Sequence, residues 1–224
     1  SMCEFKSNVM PSTFVPPSSA PAYTGTYVWG YRNGATCPGS GTLLPTYIGP
    51  VFVATRGTPT EIQYINSLPN TAASQLSAWK TSTDQTLDWA DPLNGEANRC
   101  ADAVTENQPP VGICASNYAG PVPTVPHLHG GEVPPVLDGN PNAWFTADGV
   151  YRGQAYYSKT CAVANGAMYR YPNTQEAAPL WFHDHALGLT RLNVYAGLAG
   201  GYLIVDPALT LPAGLHPIGL QQGT

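Results

Sequence analysis

Pro179-Leu180-Trp181-Phe182-His183-Asp184-His185-Ala186-Leu187 decides the reading of this chain, together with Val125-Pro126-His127-Leu128-His129-Gly130-Gly131. Each stretch carries a His-x-His pair inside an apolar or proline-bounded extended run, and a strand sends residues two apart to the same face. If the two stretches are neighbouring strands, four imidazoles converge. The chain has five histidines, so only His216, in the C-terminal tail, lies outside the pairs. Imidazole suits copper, zinc, iron and nickel better than the hard cations that prefer oxygen.

The rest of the composition points to a β-rich globular unit. Of the 224 residues 43% are hydrophobic, enough to fill a core, while only 10% are charged and glycine and proline reach 23 each. That balance suits short strands joined by turns better than long helices. The net charge of −5 comes from scattered acids. With no Lys/Arg cluster to track phosphates, nucleic acid is excluded as a partner. No apolar run approaches the roughly 20 residues that span a bilayer, which argues against a membrane partner. Ser1-Met2 resembles residues left by cloning ahead of an internal or native start. A secretion signal upstream is therefore compatible with the chain, and its compartment stays open. The five cysteines lack CxxC spacing, against a zinc ribbon or a thioredoxin-type pair. A local Cys100–Cys114 disulfide and buried free thiols are both open readings.

Along the chain, residues 1–22 carry Pro11, Pro16, Pro17 and Pro21 and are expected to form an extended N-terminal arm over the domain. Strands are expected over 23–31, 47–55, 61–66, the two His-x-His stretches, 155–158, 167–171 and 200–205, the last as a buried closing strand. Residues 186–195 read as a short helix or loop. From about 68 to 123 the pattern dissolves into polar, Gly and Pro residues with Trp79 and Trp89 as isolated anchors. This is expected to be a long loop insertion, with one helical turn over 74–79, since loops of this length in a compact unit are usually functional or interaction surfaces. Residues 23–207 thus make one domain, and 208–224 have the loose character of a linker toward a second domain.

Two metal chemistries fail on spacing. A zinc hydrolase of the HxHxDH type needs Asp-His shortly after the first pair, and Gly131-Glu132-Val133 stands there instead. A blue-copper site needs one Cys, two His and usually a Met. Met168 follows Cys161, but no histidine lies near either in sequence.

The motifs HLHGG (127–131), Asp138-Gly139 with Trp144-Phe145, YPN (171–173), LWFHDHALGLTRLNVYAGLAGGYLIVDP (180–207) and the earlier WGY (29–31) resemble the first cupredoxin domain of a multicopper oxidase. The similarity is to the branch of spore-coat laccase, phenoxazinone synthase and bilirubin oxidase. It runs over 23–207 and is poor across 68–123. The resemblance implies an all-β, cupredoxin-like Greek-key β-sandwich with a long loop insertion. It also implies a trinuclear copper cluster, with His127 on the type 2 copper, His129 and His183 on one type 3 copper, and His185 on the other.

Asp138 matches an acid thought to assist proton delivery to dioxygen; a turn-forming Asp before Gly is the competing reading. Asp184 alternates away from its histidine neighbours and is expected to be a hydrogen-bond partner behind the ligands. Arg191 is a candidate for the same support or for a salt bridge. Only half the cluster's histidines are present, and the type 1 copper is not in this chain. The implied partners are C-terminal cupredoxin domains, as a separate chain or a cleaved remainder, with dioxygen and a small aromatic reductant such as a phenol. The alternative is a copper-binding or structural subunit without turnover of its own.

Overall fold

Strands form where β-branched and aromatic residues alternate with polar ones. In the computed structural model, which describes residues 1–76, 88–93, 118–157 and 163–210, these are β1 (Met2–Ser7), β2 (Thr26–Tyr31), β3 (Leu43–Leu44), β4 (Phe52–Thr55), β5 (Thr60–Ile65), β6 (Pro126–His129), β7 (Gly166–Tyr171), β8 (Ala178–Asp184) and β9 (Ala199–Val205). A 3-10 turn spans Pro135–Leu137, and a seven-residue helix, α1 (Thr190–Ala196), connects β8 to β9.

The strands build the two layers of a cupredoxin-like β-sandwich. One layer is the mixed sheet β4-β9-β8-β6, in which β4 runs parallel to β9 and the other pairs are antiparallel. The other contains β2-β1-β3 and the antiparallel pair β5-β7, joined by a parallel bridge between Met2 and Asn66. Between the layers lies an aromatic core. The Phe182 ring of β8 meets Tyr31 of β2 at 4.8 Å and Phe52 of β4 at 5.2 Å, and Tyr171 meets Tyr202 at 5.8 Å. Gly200 lets this ring in, because a Cβ there would fall 2.4 Å from the Phe182 ring. Truncating Phe182 to alanine would cost about 3–5 kcal/mol, the usual range for emptying a buried aromatic site.

Three expectations are corrected. Residues 2–7 are not part of an arm but a core strand, with Met2, Cys3 and Phe5 fully buried. Proline starts only at Pro11, so β1 keeps every backbone donor and pairs with β2 along its whole length. Residues 155–157 form no strand; among the described residues the only strand pairing near them is an isolated bridge between Phe145 and Arg152. The closing strand β9 is buried on one face only, with Gly200, Tyr202 and Ile204 inward.

The insertion is anchored at both ends. Leu68, Trp89, Tyr118 and Val122 sit in the core, and the buried Glu4 carboxylate accepts from Trp29 Nε1 and from the Gln75 N–H. The expected helical turn at 74–79 lies partly outside the described residues, and Trp79, Cys100, Cys114, Cys161, His216 and the linker beyond 210 lie wholly outside them. Cys3 and Cys37 form a disulfide, a pairing the cysteine spacing does not reveal. No helix among the described residues is long and apolar enough to cross a membrane.

Candidate metal centre

Strand register brings the two His-x-His stretches together. In the antiparallel pair β6-β8, His127 lies opposite His183 and His129 opposite Trp181. The His185 N–H donates to the Val125 carbonyl at 2.8 Å, which carries the pairing one step past β8. Alternation then turns Leu128, Phe182 and Asp184 into the core, fully or almost fully buried, and leaves the four imidazoles on the opposite face. Ring centroids lie 5.3 Å apart for His127 and His183, 4.7 Å for His127 and His185, and 5.4 Å for His129 and His183. The ligating atoms of His127, His129 and His183 all lie within 4.8 Å of one another.

The orientation of each ring has a visible cause. The Nδ1 of His127 contacts the carbonyl oxygen of Asp138. That of His183 lies 2.6 Å from the Asp184 carbonyl, and that of His185 lies 2.9 Å from the Gly139 carbonyl. A carbonyl only accepts, so each Nδ1 carries the proton and each Nε2 keeps its lone pair for a metal. His129 differs, with its Nδ1 3.2 Å from Nε2 of His183. Two nitrogens bound to one ion at about 2.0–2.1 Å stand at about that separation in tetrahedral geometry. The residues present therefore fit a metal held by imidazole nitrogens.

The loop after β6 supplies two of those carbonyls. Gly130 turns at φ +81°, and Gln175 clamps the turn by donating to the Gly130 carbonyl at 3.0 Å and accepting from the Glu132 N–H. The chain returns through the 3-10 turn to Asp138 and Gly139. At Gly139 φ is +76°, and a Cβ would lie 2.5 Å from the Pro126 carbonyl and 2.7 Å from Cα of His127. Only glycine lets this loop lie against β6.

Burial favours the neutral form of His183 and His127. The His183 pKa is pushed down to about 4, mainly by burial and then by the neighbouring histidines, although the Asp184 carbonyl pulls it back. His127 is lowered for the same leading reason. Neutral imidazole is the form that binds metal.

Asp184, on the core side, accepts from the Val125 N–H at 2.8 Å, the Ala186 N–H at 3.1 Å and Asn193 Nδ2 at 2.9 Å. Burial raises its pKa to about 7 against the opposing pull of those bonds. It ties the two histidine stretches and α1 into one unit from behind. Asp138 lies at the rim, half-exposed, with Oδ1 3.5 Å from Nδ1 of His127. Arg191 is exposed on α1 and forms no ion pair among the described residues. Trp181, Gln175 and the two loop carbonyls were not singled out as site groups in the sequence. Trp181 carried a signal in its place two residues before His183.

No family model matches the chain. It is 37% identical over 177 residues to the multicopper oxidase LPR1 homolog 1 of Oryza sativa subsp. japonica, across 79% of this chain. It is 34% identical over 198 residues to the laccase of Bacillus subtilis (strain 168), across 87% of this chain. The chain is related to the multicopper oxidases. A laccase of Bacillus stratosphericus, another such oxidase, is 49% identical over 103 residues, 45% of this chain and 19% of that protein. The chain spans about a quarter of the length of these multicopper oxidases, 24% of the rice protein and 29% of the Bacillus subtilis laccase. Among solved structures, a multicopper oxidase from Pediococcus acidilactici is 18% identical with a TM-score of 0.43, covering 92% of this chain and 24% of that one.

Proposed function

We propose that this chain is the N-terminal portion of a laccase-like multicopper oxidase and contributes half of the histidine ligands of a trinuclear copper cluster. The remaining ligands come from C-terminal cupredoxin domains, on the same polypeptide or on a partner chain. The observation that carries this reading is the register of β6 against β8, which sets four imidazoles on one sheet face with His129 Nδ1 3.2 Å from His183 Nε2. Four nitrogen donors and no oxygen favour a copper-like ion over calcium or magnesium.

Copper bound there supplies the electron transfer that reduces dioxygen to water while a phenolic or similar reductant is oxidised. The chain's own residues hold the ligands in place. His127 serves the type 2 copper, His129 and His183 share one type 3 copper, and His185 serves the other. The close approach of His129 to His183 supports the shared assignment. Asp138 has two tasks in this reading. Its carbonyl fixes the tautomer of His127, and its half-exposed carboxylate is placed to pass protons from solvent toward dioxygen. The type 1 copper and most of the reductant site belong to the remainder of the enzyme.

Copper content and oxygen uptake test this reading. The purified chain should bind copper in preference to zinc and consume no oxygen with a phenolic reductant. Uptake should appear once the polypeptide bearing the other histidines, identified by the intact mass of native material, is present. Failure of the chain to bind copper, or oxygen uptake by the chain alone, would contradict it.

A further inference from the structure

Three of the four imidazoles are oriented by a backbone carbonyl at Nδ1, and His129 is not. Among the described residues no carbonyl or carboxylate takes a hydrogen bond from its ring; its Nδ1 faces only Nε2 of His183. His129 is also exposed, at the outer edge of the sheet. An exposed histidine with no oxygen partner would ordinarily sample several rotamers. Besides the His127 and His183 rings, at 5.5 and 5.4 Å, what borders this ring is Trp181, directly opposite it across β6-β8, with centroids 5.2 Å apart and planes 36° apart. The same indole lies 4.2 Å from the ring of His183, two residues along β8, at 33°. It therefore covers both imidazoles whose nitrogens approach to 3.2 Å. Aromatic rings in such offset contact hold each other's plane.

Trp181 is out of place as a core residue. Its side chain is on the outer face and 40% exposed. Its other strand neighbour is Gly201, whose empty face is covered by Val51 rather than by the indole. The ring leans toward the histidines.

We propose that Trp181 is a positioning residue: its indole, packed at a tilt against His129 and His183, holds the His129 ring so that Nδ1 faces the metal position shared with His183. Trp181 does for His129 what the carbonyls of residues 138, 184 and 139 do for the other three. This inference rests on the metal-binding role proposed above for its functional meaning, but ring order is measurable without metal.

The test uses the full 224-residue chain as wild type, Trp181→Ala, Trp181→Phe, and Val53→Ala as a control on the same outer face. Imidazole nitrogen–proton spectra of the metal-free protein report ring order and tautomer. Copper(I) titration against a chromophoric chelator reports affinity. Trp181→Ala should average the His129 ring signals while leaving those of His185 unchanged. It should weaken one copper by about 10–100-fold, the range seen when a group orienting a ligand is removed. Trp181→Phe should restore both readouts to within about threefold, and Val53→Ala should change neither. Unchanged His129 signals in Trp181→Ala would overturn the inference, as would unchanged copper affinity. If Trp181→Ala does not fold, Trp181→Leu, which keeps apolar bulk without a ring, takes its place with the same expected losses. If wild type binds no copper, the proposed metal role falls, and the metal-free spectra still decide whether Trp181 orders His129.

Discussion

Two buried groups one residue apart pull the stability of the metal-free protein in opposite directions with pH. His183, lowered to about 4 from an unfolded value near 6.5, binds fewer protons folded than unfolded between those limits. Its contribution to stability is present above pH 6.5 and is lost as pH falls toward 4. Asp184, raised to about 7 from an unfolded value near 3.9, binds more protons folded than unfolded across that range. Its cost is absent below pH 4 and grows until pH 7. The opposing slopes overlap, so single variants separate them. Denaturant midpoints of Asp184→Asn should rise with pH from 4 to 6.5, and those of His183→Gln should fall from pH 4 to 7; equal slopes in both variants would contradict the assignment.

At the level of elements, the loop holding Asp138 and Gly139 against β6 matters as much as the histidine strands. Gly139→Ala would place a Cβ within 2.7 Å of the His127 backbone at a φ that alanine rarely adopts. The loop should lift away, with a loss of about 1–3 kcal/mol in thermal or chemical unfolding. Copper titration should show weaker binding through His127 and His185, whose Nδ1 partners move with the loop, and the same affinity as wild type would refute the role given to those carbonyls. The sequence made the His-x-His pairs legible because alternation in a strand depends only on residue spacing. It left the carbonyl partners illegible, because they are main-chain atoms that any residue carries and only the loop's path brings them to the rings. Trp181 stood in the quoted motif, but its place opposite His129 needed a register that one strand alone does not specify. Strand β1 was misread as an arm because the prolines of 11–21 coloured the reading of residues 2–7. The helix α1 stayed ambiguous, since its seven residues, flanked by Gly188 and Gly197, are too few for helical periodicity to declare itself.

Across the whole molecule, the Cys3–Cys37 disulfide fastens β1 to the loop after β2, closing 34 residues of sequence. A crosslink over a loop of this length is worth about 3–4 kcal/mol through the unfolded chain. Reduction should lower the melting temperature while leaving the histidine face intact, and a Tm insensitive to reductant would contradict that. The β-rich class was legible in the glycine and proline content and the short alternating runs, whereas the sandwich followed from the resemblance of the motifs and not from composition.

The proposed copper site rests on one face of β6-β8 presenting four ordered imidazole nitrogens. The most direct test is the imidazole nitrogen spectrum of the chain loaded with copper(I), which is diamagnetic. Copper should shift Nε2 of His127, His183 and His185 and Nδ1 of His129, with the opposite nitrogens still protonated. Copper that leaves these four rings unshifted, or that binds His129 through Nε2, would contradict the proposed site.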